Sequence, residues 1–554
     1  MIIMIRKLRA GQRARRMLRQ IILCSRLIAG LLPGAALFSC DQKETPPNVI
    51  VMLADDMGYS DLSCFGGEVP TVNIDRLANE GARFTQFYNG ARCCPTRASL
   101  LTGTYAQQAG VGYMTANWGE GAYQGHLSDD VLTMGEVMKA NGYTTFHTGK
   151  WHVGNRKNEQ TPSNRGFDRS WWRQGKVHYF DASPGMIYLD DSTWTTNDPD
   201  YYLTDYTGAY TIKFIEEAVA AGQPFFGYVA WDACHWPLHA KEEHISRYRE
   251  RYSIGWDEVR QDRLRAQEKL GLLRPGWKLP GRDEAIPAWE DIPRMDRGRW
   301  IEKMAAYAAQ LHSLDENIGK VIRKLEHLGI ADNTVIFILF DNGACAEAIG
   351  WRDQGMPGTP GSYIAYNMPW ANVSNTPFRS YKHFVYEGGI STPMIMWGGG
   401  VPFAKVDAMA HIIDILPTIL ELTGGSYPSA DNLHAPEGKS VLPLLSGESE
   451  TIHEWLFWEH EGNRAVRYEN WKLLSRFKHD TTYFKRWHFP KDPRDQEWEL
   501  YNIENDRTEQ TELSGQYPER VKIMESRWQE WANRVGVIQG LGSYDGKRLK
   551  ASTD

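Results

Sequence analysis

The sequence predicts an α/β fold, a mainly parallel sheet flanked by helices, with a smaller α+β unit at its C-terminal end. Three observations carry this. Four short apolar runs each end in polar residues: NVIVML before Asp55-Asp56, GYTTFHTG before Lys150 and His152, PFFGYVAW before His235, and NTVIFILF before Asp341-Asn342. Runs this apolar read as strands covered on both faces, the habit of parallel sheets. Helical patterns lie between them, and that alternation builds an α/β sheet. From about residue 445 the texture changes to short strand-like pieces and one closing helical pattern.

The elements follow in order. TVNIDRLANEG and DDVLTMGEVMKANG each open on a capping residue and close on a glycine. Residues 300 to 329 form one long amphipathic pattern ending in Gly329. Residues 240 to 299 are charged and broken by Pro275, Pro280, Pro287 and Pro293, which predicts an insertion lying over the main body. The stretch 351 to 379, rich in Gly, Pro and aromatics, is expected to shape a pocket wall. WLFWEH, RAVRYENWKLLS and WELYNI read as strands, and PERVKIMESRWQEWANRVG as a final helix. The expected organisation is a leader over 1–40, a main domain over 47–444 and an α+β subdomain over 445–554.

The leader differs from the rest. Seven basic residues between Arg6 and Arg19 precede the apolar IILCSRLIAGLLPGAALFSC, the order of an export signal. A start at Met17 gives it the usual length. LFSC ending at Cys40 resembles a bacterial lipoprotein cleavage box, which implies lipidation of Cys40 and a periplasmic or cell-surface location. Arg26 and Pro33 interrupt the run and disfavour a spanning helix, so contact with a membrane is expected only through the lipid.

The rest of the composition is ordinary for a globular chain of 554 residues, with 42% hydrophobic and 24% charged residues. A net charge of −7 argues against nucleic acid as a partner. Beyond the leader the cysteines are Cys64, Cys93, Cys94, Cys234 and Cys345, an odd and scattered set that makes neither a disulfide framework nor a CxxC zinc pair.

Ligands in α/β sheets bind at the carboxyl ends of the strands, where all four polar clusters lie. Asp55-Asp56 and Asp341-Asn342 each read alone as a cap or turn. Brought together, three carboxylates and an amide oxygen call for a hard cation, Ca2+ before Mg2+. Lys150 and His152, two apart, face one side of an extended segment. His235 stands before Pro237, and Lys382 stands ahead of a glycine turn. In ARCCPTRASLLTG, Pro95 suits the first position of a helix, which puts the two preceding cysteines at a helix N-terminus. A strained vicinal disulfide, two buried thiols and a thiolate nucleophile all fit that placement.

The motifs decide more. Cys93-Cys94-Pro95-Thr96-Arg97 with ASLLTG, then GKWH, DNG and YKHFVYEGG in that order, resembles the sulfatase family of the alkaline-phosphatase-like superfamily. The similarity runs from about Asn48 to the end of the C-terminal unit, and AGVGYM nearby looks most like the bacterial arylsulfatase-type branch. The resemblance implies an alkaline-phosphatase-like fold and hydrolysis of sulfate esters. It implies that Cys93 is oxidised by a separate maturation enzyme to Cα-formylglycine, whose gem-diol attacks sulfur and then releases sulfate. Asp55, Asp56, Asp341 and Asn342, with the modified Cys93, would hold Ca2+. Arg97 and Lys150 would steady the hydrate, and His152 would assist its collapse. Lys150, His235 and Lys382 would bind sulfate, one of the last two protonating the leaving oxygen. Phe340 stands where the family often has Ser, which implies a packing change only.

Sulfated carbohydrates are the expected substrates, with His460, Asn463 and Arg464 in EHEGNRAVR as candidates for the leaving-group subsite. Two alternatives stand beside this reading: a phosphate or phosphonate monoester hydrolase of the same superfamily, and a non-catalytic glycan-binding lipoprotein with unmatured Cys93.

Overall fold

The structure is a computed structural model that describes residues 46–119, 121–349, 353–477 and 497–538. The leader with Cys40 lies outside the described residues, as do Trp351 and Arg352 at the start of the expected pocket wall. Strands β1 (Asn48–Ala54), β2 (Ala82–Tyr88), β3 (Thr144–Lys150), β4 (Arg169–Arg173), β5 (Ile187–Leu189), β6 (Ser192–Trp194), β7 (Phe225–Ala230), β8 (Thr334–Phe340), β9 (Ser391–Trp397), β10 (Ala404–Val406) and β11 (Ala410–His411) make the main sheet. Its order is β10-β2-β9-β8-β1-β7-β3-β4-β5-β6, with β11 added beside β2. The four apolar runs become β8, β1, β7 and β3, adjacent and all parallel. The sheet is therefore mixed but mainly parallel, as expected.

The reason those runs are apolar throughout is that both faces are covered. Val49, Val51 and Leu53 of β1 enter one core, and Ile50, Met52 and Ala54 the other. In-register pairing of Ala54 with Phe340 makes Asp55 and Asp341 neighbours. The pairings Leu53–Ala230 and Gly149–Ala230 bring the ends of β7 and β3 to the same edge.

The helices depart from expectation in instructive ways. The cysteine motif forms the helix Cys93–Thr102, with Arg92 as N-cap. Cys93 is therefore the first helical residue and Pro95 the third, where its missing N–H is still one of the unpartnered four. The helix Met134–Ala140 opens on a Thr133–Glu136 capping box and ends at Asn141. The long helix runs Arg294–His327, starting six residues earlier than its pattern, directly after Pro293. Glu387–Ile390 is a short helix rather than a glycine turn. Its glycines are there for close approach: a Cβ on Gly389 would lie 1.9 Å from the Phe384 carbonyl oxygen, and one on Gly343 of DNG 1.8 Å from that of Gly388.

The charged stretch 240–299 is a packed layer. Trp256 meets Trp289, Trp300 and Trp370 edge-on at 4.8–5.7 Å. Arg263, 1% exposed, donates to Asp61 at 2.7 Å and to both Glu68 oxygens at 2.7 and 2.9 Å. Arg263→Ala would strand two buried carboxylates, and should cost about 3–5 kcal/mol of unfolding free energy in chemical denaturation.

Strands β12 (Trp455–His460), β13 (Asn463–Tyr468), β14 (Trp471–Ser475) and β15 (Glu499–Asn502) form an antiparallel sheet backed by the helix Pro518–Val535. Buried charges join it to the main body: Lys472 Nζ reaches Glu387 at 3.0 Å and Glu509 at 2.7 Å, and Arg507 reaches Glu387 at 2.8 Å. Burial, with the charge of Glu387, pushes Glu509 up to about 7. A carboxyl whose folded pKa is raised contributes stability below its unfolded value, lost as pH rises through the folded one. Relative to Glu509→Gln, the wild-type unfolding free energy should therefore fall as pH is raised from 4.5 to 7. Among the described residues no helix is long and apolar enough to cross a membrane.

Candidate active site

All ten residues expected at the core of the site meet at the carboxyl edge of β8-β1-β7-β3. Cys93, 2% exposed, begins its helix, and its thiol lies within 4.8 Å of ligand atoms of Cys94 and His152. A hydrogen bond from Cys94 pulls the Cys93 thiol well below its usual pKa, against burial, and the charge of Lys150 and a hydrogen bond with His152 add to this. Burial pushes Cys94 the other way. The helix N-terminus favours negative charge at Cys93 as well.

Lys150, the last residue of β3, forms a close ion pair with Asp55. Arg97, fully buried, donates to Asp341 Oδ2 at 2.7 Å, with Asp55 Oδ2 at 3.4 Å. On the other side Lys382 Nζ reaches Asp56 Oδ1 at 2.7 Å, and Asn342 Nδ2 donates to that same oxygen at 2.8 Å. His235 Nε2 is 3.5 Å from Asp56 Oδ2. The cations thus divide into two groups flanking the carboxylates. His152 and His235 are the half-buried members and mark the mouth.

The oxygen set fits a hard cation. Asp55 Oδ1, Asp56 Oδ2 and Asn342 Oδ1 are buried without a hydrogen-bond partner. Burial, then the neighbouring Asp55 carboxylate, pushes Asp341 well above the usual range, despite Arg97 and Lys150. Unpartnered buried oxygens beside a reluctant acid are what a divalent ion with oxygen ligands removes.

Lys150 and His152 do not share one extended strand. β3 ends at Lys150, and His152 sits at φ 60°. Asp56 (58°), Ala91 (64°), His383 (82°) and Glu461 (52°) also have positive φ, so unfavourable backbone is concentrated here.

Four residues at the site carry no sequence signal of their own. Glu347 accepts from His383 Nε2 at 2.9 Å and Trp236 Nε1 at 2.8 Å, and lies 4.0 Å from Lys382. Glu461 forms a close ion pair with Arg92 and lies 2.8 Å from His383 Nδ1. Arg92, His383 and Glu461 adjoin Cys93, Lys382 and His460, which is the one hint the chain offers. Glu461 and Gly462, both at positive φ, form the two-residue turn of the β12–β13 hairpin, whose tip enters the site.

The expected leaving-group residues separate. His460, at that tip, is buried 3.5 Å from Glu461, and neither ring nitrogen has a hydrogen-bond partner. Asn463 donates to the His383 and His460 carbonyls at 3.2 and 3.1 Å and accepts from the Phe477 N–H at 3.1 Å, which ties the hairpin down. Arg464 lies over the Trp498 and Trp528 rings at 4.3 and 5.4 Å and donates to Ser475, the position of a packing residue.

The family description "Sulfatase" matches residues 47–426, and "N-sulphoglucosamine sulphohydrolase, C-terminal" matches 379–533. The chain is 32% identical to an uncharacterized sulfatase of Schizosaccharomyces pombe, over 90% of this chain and 96% of that one. It is 34% identical to an arylsulfatase of Klebsiella aerogenes, over 72% of this chain and 90% of that one. A solved structure in complex with its substrate D-glucosamine-2-N,6-O-disulfate superposes with a TM-score of 0.62 at 20% identity, covering 90% of this chain and 100% of the other. The chain belongs to the sulfatase family of the alkaline-phosphatase-like superfamily, and it is a sulfuric ester hydrolase.

Proposed function

We propose that the protein removes sulfate from sulfated glycans, using a formylglycine made from Cys93 and a bound Ca2+. The observation that carries this is the division of the site. Cys93 stands at a helix N-terminus beside Lys150 and His152, and at the neighbouring strand ends Asp55, Asp56 and Asn342 each carry a buried oxygen without a hydrogen-bond partner.

Formylglycine supplies a hydrated aldehyde as nucleophile in place of the thiol, and Ca2+ supplies Lewis acidity towards a sulfate oxygen. Asp55, Asp56, Asp341 and Asn342 would hold the ion. The remaining chemistry belongs to the side chains. Burial lowers the pKa of His152, which leaves a neutral imidazole able to take a proton beside residue 93. Lys150 and Arg97 stay charged against Asp55 and Asp341 and oppose negative charge on that side. Asp56 holds Lys382 charged, against the effect of burial, so Lys382 suits an anionic sulfate oxygen better than proton donation. That leaves His235, half-buried at the mouth, to pass a proton to the leaving alcohol. The disulfated sugar bound in the structural relative supports a sulfated saccharide as substrate. His460 at the hairpin tip is the C-terminal residue best placed to meet it.

Export through the leader and lipidation at Cys40 belong to this proposal. They are supported by residues 1–45 alone and are tested by whether Cys40→Ala abolishes lipid labelling in cells. The activity is tested by mass spectrometry of the Cys93 peptide from the native host, together with sulfate release from a panel of defined sulfated saccharides. An unmodified thiol throughout, or a large preference for phosphate over sulfate monoesters, would count against it.

A further inference from the structure

A second group of metal-ligand side chains lies where the insertion packs on the long helix, apart from the sulfatase site. His244 belongs to the short helix Glu242–Ile245, and His312 and Glu316 stand one turn apart on the long helix Arg294–His327. His312 Nε2 is 3.2 Å from Glu316 Oε1, and His244 Nε2 is 3.6 Å from Glu316 Oε2. The two rings are 4.5 Å apart.

The hydrogen bonds assign the tautomer of His244. Ser313 Oγ donates its one hydrogen to the Ala309 carbonyl at 3.0 Å, so at 3.0 Å from His244 Nδ1 it must accept. His244 therefore carries its proton on Nδ1. His312 Nδ1 lies 2.8 Å from Tyr248 Oη, and its Nε2 lies 3.2 Å from both Glu316 Oε1 and Arg247 Nη1, so Nε2 either donates to the carboxylate or accepts from Arg247. The His244 Nε2 lone pair thus faces the Glu316 carboxylate, beside His312 Nε2. Lone pairs opposed to a carboxylate repel unless a cation stands between them, and burial of His244 resists adding a proton. The cations nearby among the described residues are Arg247, whose side chain is exposed, and Lys241, which is paired with Asp205.

We propose that His244, His312 and Glu316 form a binding site for a transition-metal dication of the Zn2+ class. One ligand atom from each of the three residues lies within 4.8 Å of the others, and each imidazole Nε2 is already 3.2–3.6 Å from a Glu316 oxygen, near the edge of about 3.4 Å that a tetrahedron with bonds of about 2.1 Å requires. Two imidazoles and one carboxylate select such a metal over Ca2+. The Ser313 and Tyr248 hydroxyls hold both Nδ1 atoms, the outer shell that orients metal-binding histidines. Partial exposure of Glu316 and His312, at 42% and 17%, gives the ion a way in and leaves a coordination position for water. Bound metal would clamp the insertion helix to the long helix.

The test uses matured full-length enzyme, stripped of transition metals, resupplied with saturating Ca2+ and titrated with Co2+. The expected result is one Co2+ per chain, with visible d–d absorption, no thiolate charge-transfer band, and a rise in Tm. His312→Gln and Glu316→Gln should each weaken Co2+ binding at least about tenfold and abolish the Tm rise. Sulfate-ester turnover should be unchanged in both, which also reports that they fold. Absence of Co2+ binding by the wild type, a thiolate band, or undiminished binding in both variants would overturn the proposal.

Discussion

Cys93→Ala should abolish sulfate-ester hydrolysis, by at least about 10⁴-fold in kcat, while Cys94→Ala retains most of it. The two thiols are adjacent in sequence and both buried, yet they stand in opposite environments. Cys94 donates to Cys93, and Lys150 and His152 face Cys93. Cys94 is pushed up by burial and by the charge on its neighbour. Steady-state rates on an aryl sulfate decide the matter, with far-UV circular dichroism confirming that both variants fold. The reverse pattern would place the nucleophile at residue 94 and overturn the proposed chemistry.

Removing the divalent cation should lower turnover by about 10²–10³-fold and lower Tm, with Ca2+ restoring both more fully than Mg2+. Without an ion, Asp55 Oδ1, Asp56 Oδ2 and Asn342 Oδ1 have no partner, and Asp341 is an acid held well above its usual range. Asp341→Asn makes the sharper test because two effects oppose. The amide removes a charge that burial and the neighbouring Asp55 disfavour at this position, so the metal-free variant should be at least as stable as metal-free wild type. Ca2+ should then raise its Tm less, since the site has lost a charged ligand. Calorimetric scans with chelator and with Ca2+ measure both. Equal Ca2+ shifts in the two proteins would argue that Asp341 is not a ligand.

The strands, their apolarity and the polar residues that end them were legible because burial on both faces leaves a pattern in the chain itself. Much the same holds for the candidate site residues: Asp55, Asp56, Lys150, His152, His235, Asp341 and Asn342 end or follow a strand and Cys93 opens a helix, while Arg97 lies within that helix and Lys382 in a loop. Boundaries were less legible. Cys93 rather than Pro95 begins its helix, and the long helix starts at Arg294, because caps and packing override local pattern.

What the sequence by itself determined was the sheet, the order of its motifs and the family they belong to, all written in short-range periodicity and spacing. What only the tertiary structure decided was which charges meet. Arg92, Glu347, His383 and Glu461 converge from four separate segments, and Arg464 turns to the Trp498 and Trp528 rings while His460 stays at the hairpin tip. A buried charge requires a partner, but nothing along the chain says from how far away that partner comes.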